Sequence, residues 1–522
     1  MSMRSAPYRP PIAAIALRVA GPAVGSAVRL ALQLAVALGG ALAVGLFGGC
    51  GEPAPEVVLD PARPPVVLIT LDTTRHDRLG CYGYTEPTSP ALDRLCADAT
   101  RFDTAYSTTS WTLPAHASLF TGEYTFSHGA RYDAKGPLAL GSAISDSAAK
   151  RYRARGLDQG KPTLASRLAD AGYATAGFVS GPWMKRTFGL AEGFAHWDDA
   201  GIDEENGRRA DALTDAALAW LRENTTQPVF LFLNYYDAHS PYSPPEGWRD
   251  RFAGRIPGDE PMPAPGESMS LDEANALYDA EIAFADHHLG RLLDALRDWA
   301  LYDAAWIIVT ADHGDVIGEH GTAGHGRYLW EEEIRIPLVI KSPGSRTAAA
   351  DGGSIQLNDV APMLLEALGL PPLPRAGGPR TRGDDAILAE LYPLPIMFAK
   401  GDWRAFVVGP DKLMWNSRGR HKLHDLSAAP GEDEDRGAFE VAKRDRLLER
   451  LQALTDSLPA AGPSEGLPAA PVDASTQRAL QGLGYLDSGS DTGPDSDADR
   501  AAAGGSQRDG DEGDGEAEAD VR

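Results

Sequence analysis

Three stretches of this chain stay apolar along their length and end in acid: VVLIT (66–70), followed by Leu71 and Asp72; PVFLFLNYYDAH (228–239); and AWIIVTADHG (305–314). A strand with one wet face alternates apolar and polar residues, so unbroken apolar runs fit strands buried on both faces. Between the runs the apolar positions take up helical spacing, in SPALDRLCADA (89–99), RRADALTDAALAWLREN (208–224) and ANALYDAEIAFADHHLGRLLDALRDW (274–299). Strand and helix in alternation predict an α/β fold, a large and mainly parallel sheet flanked by helices on both faces. From about residue 384 the segments shorten to AILAELY, WRAFVVG, DKLMWN and HKLHDL. That texture predicts a small α+β C-terminal subdomain over 384–486, with a helix near 441–456. No internal repeat is evident.

The two ends are of different material. Arg4, Arg9, Arg18 and Arg29 precede an uncharged run from Leu30 to Cys50, and no acid occurs before Glu52. A basic stretch followed by an apolar one reads as an export signal over 1–50. The run closes in LFGGC, which resembles a bacterial lipoprotein acylation site at Cys50, although Phe47 replaces the usual leucine; an uncleaved membrane anchor is the alternative. Either way the bulk of the chain is expected outside the cytoplasm, held to a membrane at its N-terminus. A proline-rich linker (51–64) leads into the main domain (65–383), and a tail (487–522) with 12 acidic residues against 3 arginines is expected to be disordered. The whole chain has a formal charge of −25, which excludes nucleic acid as a natural partner. Of the three cysteines, Cys81 and Cys96 either pair or stay as two buried thiols.

Chemistry gathers at the ends of the apolar runs. In open α/β sheets ligands bind beyond the carboxyl ends of the strands, where Asp72, Asp237 with His239, and Asp312 with His313 all fall. One such acid would read as a turn residue; three runs ending alike point to a shared metal site. Thr112, in SWTLPAHASLFTG, lies just before Pro114, which suits the first turn of a helix. A hydroxyl there faces unpaired N–H groups and the positive end of the dipole. Threonine is a poor nucleophile alone, and a divalent cation makes its alkoxide accessible. Asp72, Asp312 and His313, with Thr112 itself, are the expected ligands of one divalent ion, calcium, manganese or zinc. A second ion on Asp237, His239 and His325 is a lesser expectation.

These motifs are similar to those of the sulfatase family of the alkaline phosphatase superfamily, over roughly residues 64 to 430. The carriers are VVLITLDTTRHDRLGCYGY, TLPAHASLFTG, DAHSPYSPP, TADHGDVIGEHG, LWEEEIRIPLVI and HKLHDL. The resemblance implies a sulfuric ester hydrolase, and the departures from it matter. Sulfatases carry a cysteine or serine that becomes formylglycine where this chain has Thr112, and Ala115-His116 stands in place of Ser-Arg. The paired aspartates read Asp72-Thr73, and the Asp-Asn metal pair reads Asp312-His313. Threonine cannot become formylglycine, so its ester must be resolved by attack on the central atom, a step more ordinary for phosphorus than for sulfur.

The expected course is in-line attack by Thr112 on a sulfuryl or phosphoryl group, with His239 or His325 protonating the leaving oxygen and His116 contacting the bound anion. His128 reads as structural, and Arg75, Lys185 and Arg186 as surface cations. Three readings follow: a hydrolase of sulfate or phosphate esters of small molecules, glycans or lipid head groups; a phosphodiesterase or phosphoglycerol-type transferase acting on head groups; and an inactive protein that binds sulfated glycans.

Overall fold

The computed structural model describes residues 54–140, 152–202, 206–255, 269–374, 386–393, 401–428, 432–464, 467, 470–483 and 485. The expected export signal, the expected acylation site at Cys50 and the acidic tail lie outside them. Among the described residues no helix is long and apolar enough to cross a membrane. The linker's second half packs on the fold, where the Val58 N–H donates to the Thr225 carbonyl at 2.9 Å.

The main sheet has nine strands: β1 (Val66–Leu71), β2 (Thr100–Tyr106), β3 (Ala174–Phe178), β4 (His196–Asp198), β5 (Val229–Tyr235), β6 (Trp306–Thr310), β7 (Arg335–Ile336), β8 (Leu338–Lys341) and β9 (Ala349–Gln356). They run in the order β7-β2-β8-β6-β1-β5-β3-β4, with β9 also on β2. The five strands from β6 to β4 are parallel, as the apolar runs predict. β8 runs antiparallel to β6 and β2, so the sheet is mixed at one side.

Residues of β1 feed two layers in turn. Val66 and Leu68 enter one apolar cluster together with helix α2 (Thr112–Thr121), whereas Val67, Ile69 and Leu71 enter another. That second cluster is built with helices α1 (Pro90–Cys96), α3 (Ala210–Asn224) and α4 (Leu271–Asp298). A strand buried on both faces is apolar almost throughout, and this segment reads VVLITL with Thr70 its one polar residue.

Beyond the main sheet lies a four-stranded antiparallel one: β10 (Ala386–Leu391), β11 (Trp403–Val408), β12 (Asp411–Asn416) and β13 (His421–Asp425). Leu388, Phe406, Leu413 and Leu423 meet Leu447 and Leu451 of helix α5 (Val441–Ser457), while Ile387, Ala389 and Leu391 face Tyr106, Leu329 and Ile334 of the main body. A last helix, α6 (Ala474–Gly482), is capped by Asp473 and packs near Trp183. Cys81 and Cys96 are adjacent free thiols with sulfurs 2.7 Å apart.

Candidate active site

Register builds the site. Thr70 of β1 stands beside Asn234 of β5 and Thr310 of β6, so the three strands end level. Asp72 and Asp312 therefore leave neighbouring strand tips. Ligand atoms of Asp72, Asp312 and His313 all lie within 4.8 Å of one another, and all three residues are buried. The Thr112 Oγ1 is 3.2 Å from His313 Nε2 and is 1% exposed. Of the expected ligand and nucleophile set, the structure brings all four members together.

Fixed partners hold most of the carboxylate oxygens. Asp312 Oδ1 accepts from the Thr73 N–H at 3.2 Å and from the His313 N–H at 2.9 Å. Asp72 Oδ2 accepts from Asn234 Nδ2 at 3.2 Å. The remaining oxygens, Asp72 Oδ1 and Asp312 Oδ2, are buried without a hydrogen-bond partner. Burial, then repulsion by Asp312, pushes the Asp72 carboxyl well above its usual range, and burial raises Asp312 too. Two such bare oxygens cost several kcal/mol each as anions in a dry site unless a cation sits between them. His313 fits the same ligand set: its Nδ1–H donates to the Gly314 carbonyl at 2.9 Å, which leaves the Nε2 lone pair toward the acids. Burial holds this imidazole neutral, its pKa lowered to about 3. The residues present fit a divalent cation.

Thr112 opens α2, whose first turn holds Pro114 and offers N–H groups without side-chain capping. The helix ends at Gly122, at φ +71, where a Cβ would come within 2.9 Å of Pro362.

His116 does not stand where an incoming anion would meet it. It is 0% exposed, its Nδ1–H donates to the Thr112 carbonyl at 2.9 Å, and its Nε2 accepts from the Thr70 hydroxyl at 2.9 Å. The Thr70 oxygen in turn accepts from Asn234 Nδ2 at 3.2 Å. One turn of helix separates His116 from Thr112, so its ring is the peg that fixes Thr112 to β1. The expected contact with substrate gives way to positioning, because both ring nitrogens are already used.

His239 and His325 do line the site, with ring centroids 4.8 Å apart, and His325 lies 4.5 Å from His313. Their proton states differ from those of ready acids. His239 Nδ1–H donates to the Ser240 carbonyl, and its Nε2 is buried without a partner. His325 Nδ1 is 3.3 Å from Asp315 Oδ1 and its Nε2 is 2.7 Å from the Tyr485 hydroxyl. Burial lowers both pKa values, His325 to about 3 and His239 well below normal, with His325 adding to the effect on His239. Both imidazoles are neutral with lone pairs on Nε2, so each must first receive a proton before it can give one.

Asp237 stands apart from these rings. Its Oδ1 accepts from the Ala210 N–H at 3.1 Å at the start of α3. Asp315 takes the place beside His325 instead, with Oδ2 accepting from the Tyr242 hydroxyl at 2.8 Å. Arg75 is no surface cation: its side chain is 6% exposed and pairs with Asp77 and Glu319 at 2.8 and 2.7 Å. Lys185 reaches Ser475 at 3.2 Å, and His128 is a core residue 3.0 Å from Ser118 Oγ.

Asn234, Tyr236, Asp315 and Tyr485 escaped the sequence reading. Asp315 lies in the same TADHGD segment as Asp312 and was within reach; Tyr236 carries a buried, unpartnered hydroxyl and stacks on His239 at 4.4 Å.

A family profile described as Sulfatase matches residues 64–370. The sulfatase YidJ of Escherichia coli (strain K12) is 24% identical over 349 residues, which is 55% of this chain and 65% of YidJ. The multifunctional alkaline phosphatase superfamily protein PehA of Trinickia caryophylli is 27% identical over 423 residues, 66% of this chain and 79% of PehA. Among solved structures, the phosphonate monoester hydrolase of Agrobacterium radiobacter shares the fold with a TM-score of 0.59 at 21% identity, covering 76% of this chain and 96% of that one. With a profile match over more than half its length and the fold to go with it, the chain belongs to the sulfatase family of hydrolases.

Proposed function

We propose that this protein is a metal-dependent ester hydrolase with Thr112 as nucleophile, acting on sulfate or phosphate esters that carry a single negative charge. The observation that carries the reading is the Thr112 hydroxyl at the first turn of α2, 3.2 Å from His313 Nε2 and in one pocket with the bare oxygens of Asp72 and Asp312. A divalent cation held by Asp72, Asp312 and His313 supplies positive charge that favours the ionised Thr112 oxygen and the charge developing on the transferred group.

The chain's own residues do the rest. The Thr112 oxygen attacks sulfur or phosphorus in line, and the bond to the leaving oxygen breaks. The N–H groups at the start of α2 face the anion. The proton that Thr112 loses and the one that the leaving oxygen needs are the same in number. Because the attacking and leaving oxygens stand on opposite sides of the central atom, one imidazole takes the first and a second returns one to the leaving oxygen: His239, whose buried Nε2 has no other partner, is suited to receive the proton, and His325, with its ring 4.8 Å away, to pass it on to the leaving oxygen. Water then attacks the central atom of the threonine ester, which restores Thr112.

Charge argues for the substrate class. Three buried carboxylates, Asp72, Asp312 and Asp315, share the site, and among the described residues none of the three is ion-paired to lysine or arginine. Against them a single divalent cation leaves the pocket negative, and a doubly charged phosphate monoester is repelled about twice as strongly as a sulfate ester, phosphodiester or phosphonate monoester. The names of PehA and of the phosphonate monoester hydrolase agree with a site open to phosphorus as well as sulfur. Export and N-terminal anchoring through residues 1–50 belong to the same proposal, with sulfated or phosphorylated glycans or head groups outside the cytoplasm as natural substrates.

The test is turnover of matched aryl sulfate, phosphate monoester, phosphodiester and phosphonate monoester by protein loaded in turn with manganese, calcium or zinc. The expected result is kcat/KM for a singly charged ester at least about tenfold above that for the monoester, and loss of about a thousandfold or more in Thr112→Ala. Preference for the doubly charged monoester, or activity that survives Thr112→Ala, would overturn the reading.

A further inference from the structure

The strand tips and α2 account for the floor of the site but leave open what stands over it. Tyr485 does, and it comes from the far end of the fold. Asp473 caps α6, its Oδ1 accepting from the Thr476 N–H at 2.9 Å, and the Tyr485 N–H closes back on the Leu480 carbonyl at 2.9 Å. Leu480 is 0% exposed, and Lys185 reaches Ser475 at 3.2 Å, so this segment is seated on the body.

The Tyr485 ring meets Trp183 edge to face, with centroids 5.4 Å apart, and Trp183 meets Trp111 in the same way at 4.8 Å. Trp111 immediately precedes Thr112. The phenol is 3% exposed, and its pKa is raised by burial and then by the charges of Asp72, Asp315 and Asp312, so the hydroxyl lies within the field of the carboxylates and stays protonated.

Its position against His325 is the telling one. A neutral imidazole with Nδ1–H toward Asp315 accepts a hydrogen bond at Nε2, and Tyr485 supplies it at 2.7 Å. That oxygen-to-nitrogen distance is the one a reacting oxygen adopts against its proton-transfer partner. Once His325 Nε2 has received the proton it is to deliver, the departing oxygen must stand against that nitrogen where the Tyr485 hydroxyl now stands, so the two compete for one place and for the space beside Trp183.

We propose that Tyr485 is a specificity-determining residue: its hydroxyl occupies the leaving-oxygen position on His325, and a substrate must displace it to bind. The C-terminal segment thereby sets a threshold. Leaving groups that gain enough contact with Trp183 and Tyr236 move the phenol aside, and small esters without that contact are held off. This inference rests on the proposed ester chemistry for its kinetic arm, but not for its structural one.

The experiment uses the full chain, metal-loaded, as wild type, Tyr485→Phe and Tyr485→Ala, with thermal melting to check that each is folded. Diethyl pyrocarbonate modification of His325, read by peptide mass spectrometry, reports the cap without any turnover. The expected result is about fivefold or faster modification in Tyr485→Phe. In the kinetic arm, Tyr485→Phe lowers KM for a methyl-substituted ester about three- to tenfold with kcat within about twofold, and Tyr485→Ala narrows the advantage of aryl over methyl leaving groups. An unchanged His325 modification rate in both variants overturns the proposal. So does a fall in kcat with KM unchanged, which would make Tyr485 a support for His325. If wild type turns over no ester, the proposed function fails while the modification arm still decides the cap.

Discussion

His116 and Thr112 sit one helical turn apart, and this pair shows how one side chain can govern another without touching substrate. The ring bridges the Thr112 carbonyl and the Thr70 hydroxyl, each at 2.9 Å. Asn234 extends the chain from Thr70 to Asp72, so Thr112 and the Asp72 carboxylate are spaced by one continuous set of hydrogen bonds. His116→Ala removes two bonds and leaves a buried cavity, a cost of about 2–4 kcal/mol. It should lower Tm and, in protein still folded at the assay temperature, lower kcat with little change in KM, as steady-state kinetics beside a melting curve will show. A change confined to KM would mean that the ring meets substrate after all. From sequence, a histidine where relatives carry an anion-binding arginine invites the wrong role; only the two occupied nitrogens reveal the right one.

At the scale of elements, the parallel core was legible because β1, β5 and β6 are apolar except near their carboxyl ends, at Thr70, Asn234 and Thr310, and the acids that follow drew attention to Asp72 and Asp312. The antiparallel side was not. LVIK of β8 is only four residues long, and AADGGSIQ of β9 has no apolar run at all. β9 is a strand because it finds β2, with a register shift between Asp351 and Ser354, and such pairing is invisible to local pattern. Tyr485 shows the same limit: its partner His325 is 160 residues away, a spacing with no period to read.

Between elements, Lys412 of β12 is 0% exposed and pairs with Glu331 at 3.0 Å and Glu432 at 2.8 Å. Burial opposes its charge, but the two acids outweigh that and hold it up. Glu331 belongs to the turn that follows His325, so this ammonium ties the small sheet to the site's rim. Lys412→Met strands two carboxylates and should cost about 3–5 kcal/mol, visible as a lower Tm that is partly recovered on adding Glu432→Gln. No recovery would show that the loss lies in packing alone.

For the molecule as a whole, an ion that binds only the folded chain adds stability by mass action, about 2.7 kcal/mol at a hundred times its Kd. A cation held by Asp72 and Asp312 would also relieve the repulsion between them. Chelation should therefore lower Tm by a few degrees, and manganese, calcium or zinc should restore it in calorimetry, whereas Asp312→Asn should show little response to either. A wild-type Tm indifferent to chelator would mean that the acids hold no metal.

The order of the strands bears, lastly, on how such a chain comes to be made. β1 lies between β5 and β6, so residues 66–71 find one flank only when residue 235 exists and the other when residue 310 does. During synthesis VVLITL is thus a sticky ribbon with neither flank until residue 235 is made and with only one until residue 310, and the helix that opens at Thr112 waits with it. An arrested nascent chain stopping before the third apolar run is bound to be soft to protease and prone to clump, and the enzyme is born late and all at once.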